Sequence, residues 1–399
     1  MLVNSGQKQA QPKDFVAKKV NGLAPSGIRR FFDLLSSMDG VISLGIGEPD
    51  FTTPWHIRET AIDAIKKGYT MYTSNAGMPE LRGELARYLM SESKINYDPD
   101  DELLITVGVS EALDLVMRAI LDPGDEVIMT DPCYVAYDAC VSLAGGIPIK
   151  VPTTEERGFE VEADDIESAI TDKTKAILIG YPANPTGAIM SREKLRRIGE
   201  VARRHNVLVI SDEIYSKLTY GVEPVCFASL PGMKESTLYL SGFSKAFAMT
   251  GWRVGFAAGP KDIIAAMTKI HQYTIMCVPI MSQIAATEAL KSGEAASLEM
   301  VQDYNRRRLI MVTGLREIGL HCFEPKGAFY AFPNIKGTGM TSEEFAEKLL
   351  TEEKVAVVPG NAFGACGEGY VRCCYATATD EITEALDRMQ RFLSKHRKR

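Results

Sequence analysis

Leu240-Ser241-Gly242-Phe243-Ser244-Lys245-Ala246-Phe247-Ala248-Met249-Thr250-Gly251-Trp252-Arg253-Val254-Gly255 sets a single lysine among small and hydroxylated residues. The apolar run Thr237-Leu238-Tyr239-Leu240 before it predicts a buried strand, and Arg253 follows in a glycine-flanked turn. An enclosed lysine has its ammonium form disfavoured, and the neutral amine attacks carbonyls to form Schiff bases. Arg253 offers a planar fork of donors suited to a phosphate. Read one at a time, the two residues are equally surface cations near a strand end.

A chain of 399 residues is long enough for two cores, so two domains are expected. The net charge of −7 argues against a nucleic-acid-binding surface, and the basic end Lys395-His396-Arg397-Lys398-Arg399 reads as a solvated helix terminus. No apolar run approaches the roughly 20 residues a membrane span needs. Met1 to Lys19 is polar and lacks the apolar core of a secretory signal. The eight cysteines form no C-x-x-C pair and the five histidines are scattered, which suits a reduced, cytoplasmic location and neither a disulfide scaffold nor a metal site.

Pro25 to Leu35 has helical periodicity with Ser26 as its cap. Val41-Ile42-Ser43-Leu44 then runs into Gly45-Ile46-Gly47-Glu48-Pro49-Asp50-Phe51, where glycines let backbone approach a ligand. Pro79 and Glu80 start a helix. The strand Glu102–Val107 passes through Gly108-Val109-Ser110 into a helix over Glu111–Leu121 capped by Ser110, an arrangement that presents free N–H groups to an anion. Glu126–Met129 and Lys175–Gly180 read as further strands, the second ending in the rigid turn Tyr181-Pro182-Ala183-Asn184-Pro185-Thr186-Gly187. Val207–Ile210 predicts a central parallel strand with Asp212 at its carboxyl end, where open α/β sheets bind ligands. Beyond Pro260 the chain turns mostly helical, with Arg306-Arg307-Arg308 expected on a solvated face. Strands follow at Lys326–Pro333 and Val355–Gly360.

Gly242-Phe243-Ser244-Lys245 with Gly251-Trp252-Arg253-Val254-Gly255 resembles the pyridoxal-phosphate attachment site of class I/II aminotransferases, and four further ordered motifs extend the likeness over roughly residues 26 to 390. The resemblance implies the type I fold of pyridoxal-phosphate enzymes: a mostly parallel sheet in a large α/β sandwich domain, plus a small α+β domain. The expected division is 1–50 for the arm and part of the small domain, 51–285 for the large domain and 286–399 for the small one.

By that resemblance Lys245 carries pyridoxal 5'-phosphate as a Schiff base, and Arg253, Gly108, Val109 and Ser110 hold its phosphate. Many relatives have serine where Gly242 stands, so Ser241 and Ser244 are both candidates for a further phosphate contact. Asp212 is implied to keep the cofactor's ring nitrogen protonated, which makes the ring an electron sink. Tyr215 and Asn184 are implied to meet the ring oxygen, and Tyr134 to stack on the ring; Tyr134 also reads as a core aromatic. Tyr72 is implied to reach the phosphate of a neighbouring subunit's cofactor, hence a homodimer. Gly47 and Arg372 are implied to bind the substrate carboxylate, with Lys245 as the base at Cα.

The implied reaction moves an amino group from an L-amino acid to a 2-oxo acid such as 2-oxoglutarate. No second cation for a dicarboxylate is identifiable, and Glu111 offers an acidic group at the helix opening instead, so aromatic or broad specificity is expected with aspartate open. A β-lyase or an ACC-synthase-like enzyme would share every cofactor contact.

Overall fold

The computed structural model describes residues 15–23 and 38–396. The helix expected over Pro25 to Leu35 and the last three basic residues lie outside them. The strands are β1 (Ile42–Ser43), β2 (Leu103–Thr106), β3 (Glu126–Asp131), β4 (Ile147–Pro152), β5 (Thr174–Gly180), β6 (Leu208–Asp212), β7 (Thr237–Gly242), β8 (Gly255–Ala258), β9 (Tyr330–Ala331), β10 (Val355–Ala356), β11 (Val358–Pro359) and β12 (Val371–Cys374).

Seven of them form one sheet in the order β2-β8-β7-β6-β5-β3-β4. Only β8 runs antiparallel to its neighbours. The apolar run ending at Ile210 becomes β6, the middle strand, because a strand buried on both faces needs no polar alternation. In register, Gly180 pairs with Asp212 and Asp212 with Leu240, so three strands bring their carboxyl ends to one edge of the sheet. There β7 runs on toward Lys245, and Gly242 pairs with Gly255 of β8. A Cβ at Gly255 would lie 2.7 Å from the Gly108 carbonyl carbon, so glycine is what lets β8 close on the segment after β2.

That segment becomes the helix Gly108–Ile120, which starts two residues before the capping serine expected at Ser110. The physical reason is that Glu111, inside the first turn, accepts the Val107 N–H and satisfies that end itself. Ser110 is left free to face outward.

The remaining strands form a second, smaller part. β1 pairs in parallel with β10, and β11, β12 and β9 form an antiparallel sheet. Ile42 and Leu44 share a core with Phe345, Met389 and Phe392, so the early segment packs with the end of the chain. Of the strand expected over Lys326–Pro333, only Tyr330–Ala331 pairs regularly. The helices Ile280–Ser292 and Glu294–Glu317 bridge the two parts, and position 285 falls inside the first.

The triple arginine is not a solvated face. Arg306 is exposed and pairs with Asp303, but Arg307 and Arg308 are buried. Arg307 pairs with Asp50 and Asp303, and Arg308 donates to Glu324 and to the Pro325 carbonyl. Periodicity does not separate such arginines from exposed ones, because the groups that hold them inside, Asp50 for Arg307 and Glu324 with the Pro325 carbonyl for Arg308, lie outside their own helix. No helix among the described residues is long and apolar enough to cross a membrane.

Candidate active site

A cavity of about 480 Å³ opens at the carboxyl edge of the large sheet. Its lining includes Gly47, Val109, Ser110, Tyr134, Asn184, Asp212, Tyr215, Ser244, Lys245, Arg253 and Arg372, which the sequence scatters over 326 positions (372 minus 47 is 325 steps). Gly108, Ser241 and Tyr72 lie outside that lining. Ser241 is buried and donates to the Glu213 carbonyl, whereas Tyr72 is 81% exposed at the surface.

Lys245 donates to the Gly47 carbonyl at 2.7 Å and sits beside the rings of Tyr215 and Phe329. Burial pushes its amine down to about 8, only partly countered by the nearby Cys374 and Glu48, while Arg372 and Arg253 push the same way as burial. Such an amine has an appreciable neutral fraction near neutral pH.

Asp212 is buried, and burial raises its carboxyl to about 6 against the donors that favour its charge. Those donors are Tyr137, whose hydroxyl reaches Oδ2 at 2.8 Å, and the Ile214 N–H at 3.2 Å. Tyr137 also meets Tyr134 edge to face, with ring centroids 5.6 Å apart.

Arg372 lies on the fully buried strand β12 and turns into the cavity. Its two terminal nitrogens donate to Asn184 Oδ1 at 2.8 Å and the Gly45 carbonyl at 2.7 Å, while Nε is buried without a partner. The ring of Tyr330 lies 4.4 Å from its guanidinium. Tyr215 exchanges a hydroxyl hydrogen bond with Tyr330 at 2.7 Å.

At the other end of the cavity, Arg253 is exposed and donates to the Thr250 carbonyl. Gly108 has φ +72°, and a Cβ there would lie 2.7 Å from Arg253 Nη2. Glycine therefore lets the guanidinium stand against the start of the helix carrying Val109 and Ser110. Glu111 of the same turn is not in the lining: it is hydrogen-bonded to buried His271 at 2.7 Å, so the acidic group expected at the helix opening faces away from the cavity.

The family model for class I and II aminotransferases matches residues 39–389. The chain belongs to that family. It is 58% identical to the Bacillus subtilis protein YugH over 381 residues, 96% of this chain and 99% of the relative. An aspartate aminotransferase of Pyrococcus abyssi is 47% identical over 372 residues, covering 92% of this chain and 96% of the relative. The solved aromatic aminotransferase of Pyrococcus horikoshii superposes with a TM-score of 0.88 at 45% identity, covering 92% of this chain and 99% of that one. The mostly parallel sheet and flanking helices are the type I architecture of this family. Its members are transferases of amino groups.

Tyr137 and Tyr330 complete this aminotransferase cavity but carry no signal in the sequence beyond being aromatic. Tyr137 follows Tyr134 by three residues within the same stretch, which was the one local hint. Gly45, two residues before Gly47, enters through its carbonyl, which no side-chain motif reveals. Among the described residues no cluster of side chains suits a metal ion.

Proposed function

We propose that this aminotransferase binds pyridoxal 5'-phosphate on Lys245 and passes amino groups from aromatic or a broad range of L-amino acids, with aspartate still to be tested, to 2-oxoglutarate. The observation that carries the reading is the depressed, half-enclosed Lys245 amine in one cavity with a buried carboxylate and a buried arginine.

The residues fit the cofactor. The helix start at Val109 and Ser110, with Arg253 close against Gly108 and Ser244 nearby, suits a phosphate. Asp212 is the carboxylate for a protonated ring nitrogen, Tyr134 the ring-stacking aromatic, and Asn184 and Tyr215 partners for a ring oxygen. When bound, the cofactor supplies an electron sink for charge developing at the substrate Cα.

The chain supplies the rest. Arg372 binds the substrate carboxylate as a two-pronged donor, with the Gly47 backbone alongside, and fixes how the Cα–H points. Lys245, its amine released as the substrate's amino group takes its place, would serve as the base that takes the Cα proton. Tyr134, Tyr215 and Tyr330 give that cavity aromatic walls, and its cations are Lys245, Arg253 and Arg372. That supports aromatic or broad donor choice.

In this reading residues 51–285 are the cofactor-binding domain, 1–50 the N-terminal arm and part of the small domain, and 286–399 the small C-terminal domain. A cytoplasmic homodimer is part of the same reading, with Tyr72 reaching the partner's phosphate site. Its support is the exposure of Tyr72 together with Met71, 75% exposed, and Tyr273, 85% exposed.

The test is a screen of aromatic amino acids and aspartate against 2-oxoglutarate with purified, cofactor-supplemented protein, followed by borohydride reduction and peptide mapping. Label at Lys245 and acceptor-dependent 2-oxo acid formation are expected. An unlabelled Lys245 sinks the reading, and turnover without any acceptor moves the enzyme to the lyases.

A further inference from the structure

The loop Gly45–Phe51 has no regular secondary structure, yet its backbone meets both cations that handle substrate. The Gly45 carbonyl accepts from Arg372 and the Gly47 carbonyl from Lys245, each at 2.7 Å. Carbonyls of an irregular loop orient side chains only if something holds the loop. Upstream, Leu44 is anchored: its N–H donates to Ala356 and its carbonyl accepts from Cys374.

Downstream, the anchor is Asp50. Its carboxylate takes a hydrogen bond from Arg307 Nη1 at 2.7 Å, from a helix more than 250 positions away (307 minus 50 is 257). Arg307 is 8% exposed, is held from its other side by Asp303 at 2.7 Å, and lies over the rings of Phe51 and Tyr304. Phe51 and Tyr304 in turn pack edge to face. A planar guanidinium joins two carboxylates and two rings at once, which an ammonium does not.

We propose that Arg307 is a positioning residue for substrate binding: through Asp50 it sets the loop whose Gly45 carbonyl aims Arg372. This rests on the reading of Arg372 as the carboxylate-binding residue. Because the carboxylate is held in ground state and transition state alike, loss of the brace acts on affinity more than on turnover. Arg307 is not among the residues lining the cavity, so its effect passes through the loop.

The test uses the cofactor-loaded full chain as Asp50→Asn, Arg307→Lys and the double variant, with Arg372→Leu in parallel. Binding of 3-phenylpropanoate, a carboxylate with no amine to react, is measured by calorimetry alongside KM and kcat for an active donor. Each single variant is expected to weaken binding and raise KM about tenfold, with kcat within about threefold. The double variant is expected to be no weaker than the worse single one, since the two residues act as a unit. Asp50→Asn leaves Arg307 paired with Asp303, so this variant reads the loop without unfolding the helix. Unchanged affinity, a loss confined to kcat, or penalties that multiply in the double variant overturn the inference. If Arg372→Leu loses affinity and Asp50→Asn does not, the brace alone is refuted; if Arg372→Leu keeps its affinity, the reading of Arg372 falls and takes the brace with it.

Discussion

Tyr137 donates its hydroxyl to Asp212 across 2.8 Å, and Gly180 is the space that permits it. Gly180 pairs with Asp212 on the adjacent strand, and a Cβ there would lie 2.3 Å from the Tyr137 oxygen. Burial raises the Asp212 carboxyl, and the Tyr137 donor lowers it again toward the charged form. Removing that donor as Tyr137→Phe is therefore expected to raise the Asp212 pKa above about 6. In cofactor-free protein the Asp212 titration moves to higher pH, which carboxyl NMR across a pH series on wild type and variant reads directly.

The same carboxyl makes a statement about stability. Its folded pKa lies above the unfolded carboxylate value, so the protonated form is the one favoured by folding. In protein free of cofactor, its contribution is full below the ordinary carboxylate range and is lost as pH climbs through about 6. Tyr137→Phe extends this window upward. Denaturant unfolding between pH 4 and about 7, compared with Asp212→Asn, which lacks the titration, checks the sign.

Lys245 is lowered to about 8 by burial, so in cofactor-free protein its amine becomes nucleophilic well before surface lysines do. Reductive alkylation with an aldehyde, followed residue by residue in mass spectra, is expected to reach half-rate at Lys245 near pH 8. Surface lysines are expected to follow about two units higher. A common midpoint for all lysines would contradict the enclosure described.

Arg372→Leu strands the Asn184 side-chain oxygen and the Gly45 carbonyl as well as removing the carboxylate's partner. Loss of a two-pronged charged contact predicts a fall in kcat/KM of about 100-fold or more, roughly 3 kcal/mol. The fall is expected for every donor tested, because all share the α-carboxylate.

Arg308 is buried, donates to the Pro325 carbonyl and Glu324, and lies over the ring of Tyr220. Arg308→Met leaves the Pro325 carbonyl without this donor while exposed Glu324 turns to water, and is expected to cost about 2 kcal/mol of stability. Chemical denaturation of the variant against wild type measures it.

The lysine stretch, the glycine-to-helix turn and the Asp212 strand were legible because each is local. A buried parallel strand must be apolar, a close backbone approach must be glycine, and an anion cradle needs a helix start. Those requirements are written within a few consecutive residues, whereas Arg372 and Tyr134 of the cavity's lining are marked only by the family resemblance.

What no local pattern contained was partnership. The sequence alone determined which backbone elements form and which residue types stand at their ends. Only the tertiary structure decided that Arg307 faces Asp50 rather than water, that Glu111 turns to His271, and that Tyr137 meets Asp212. The reason is physical: a buried polar group is stable only with a partner, and the partner's identity depends on which distant segments the packed core brings within about 3 Å.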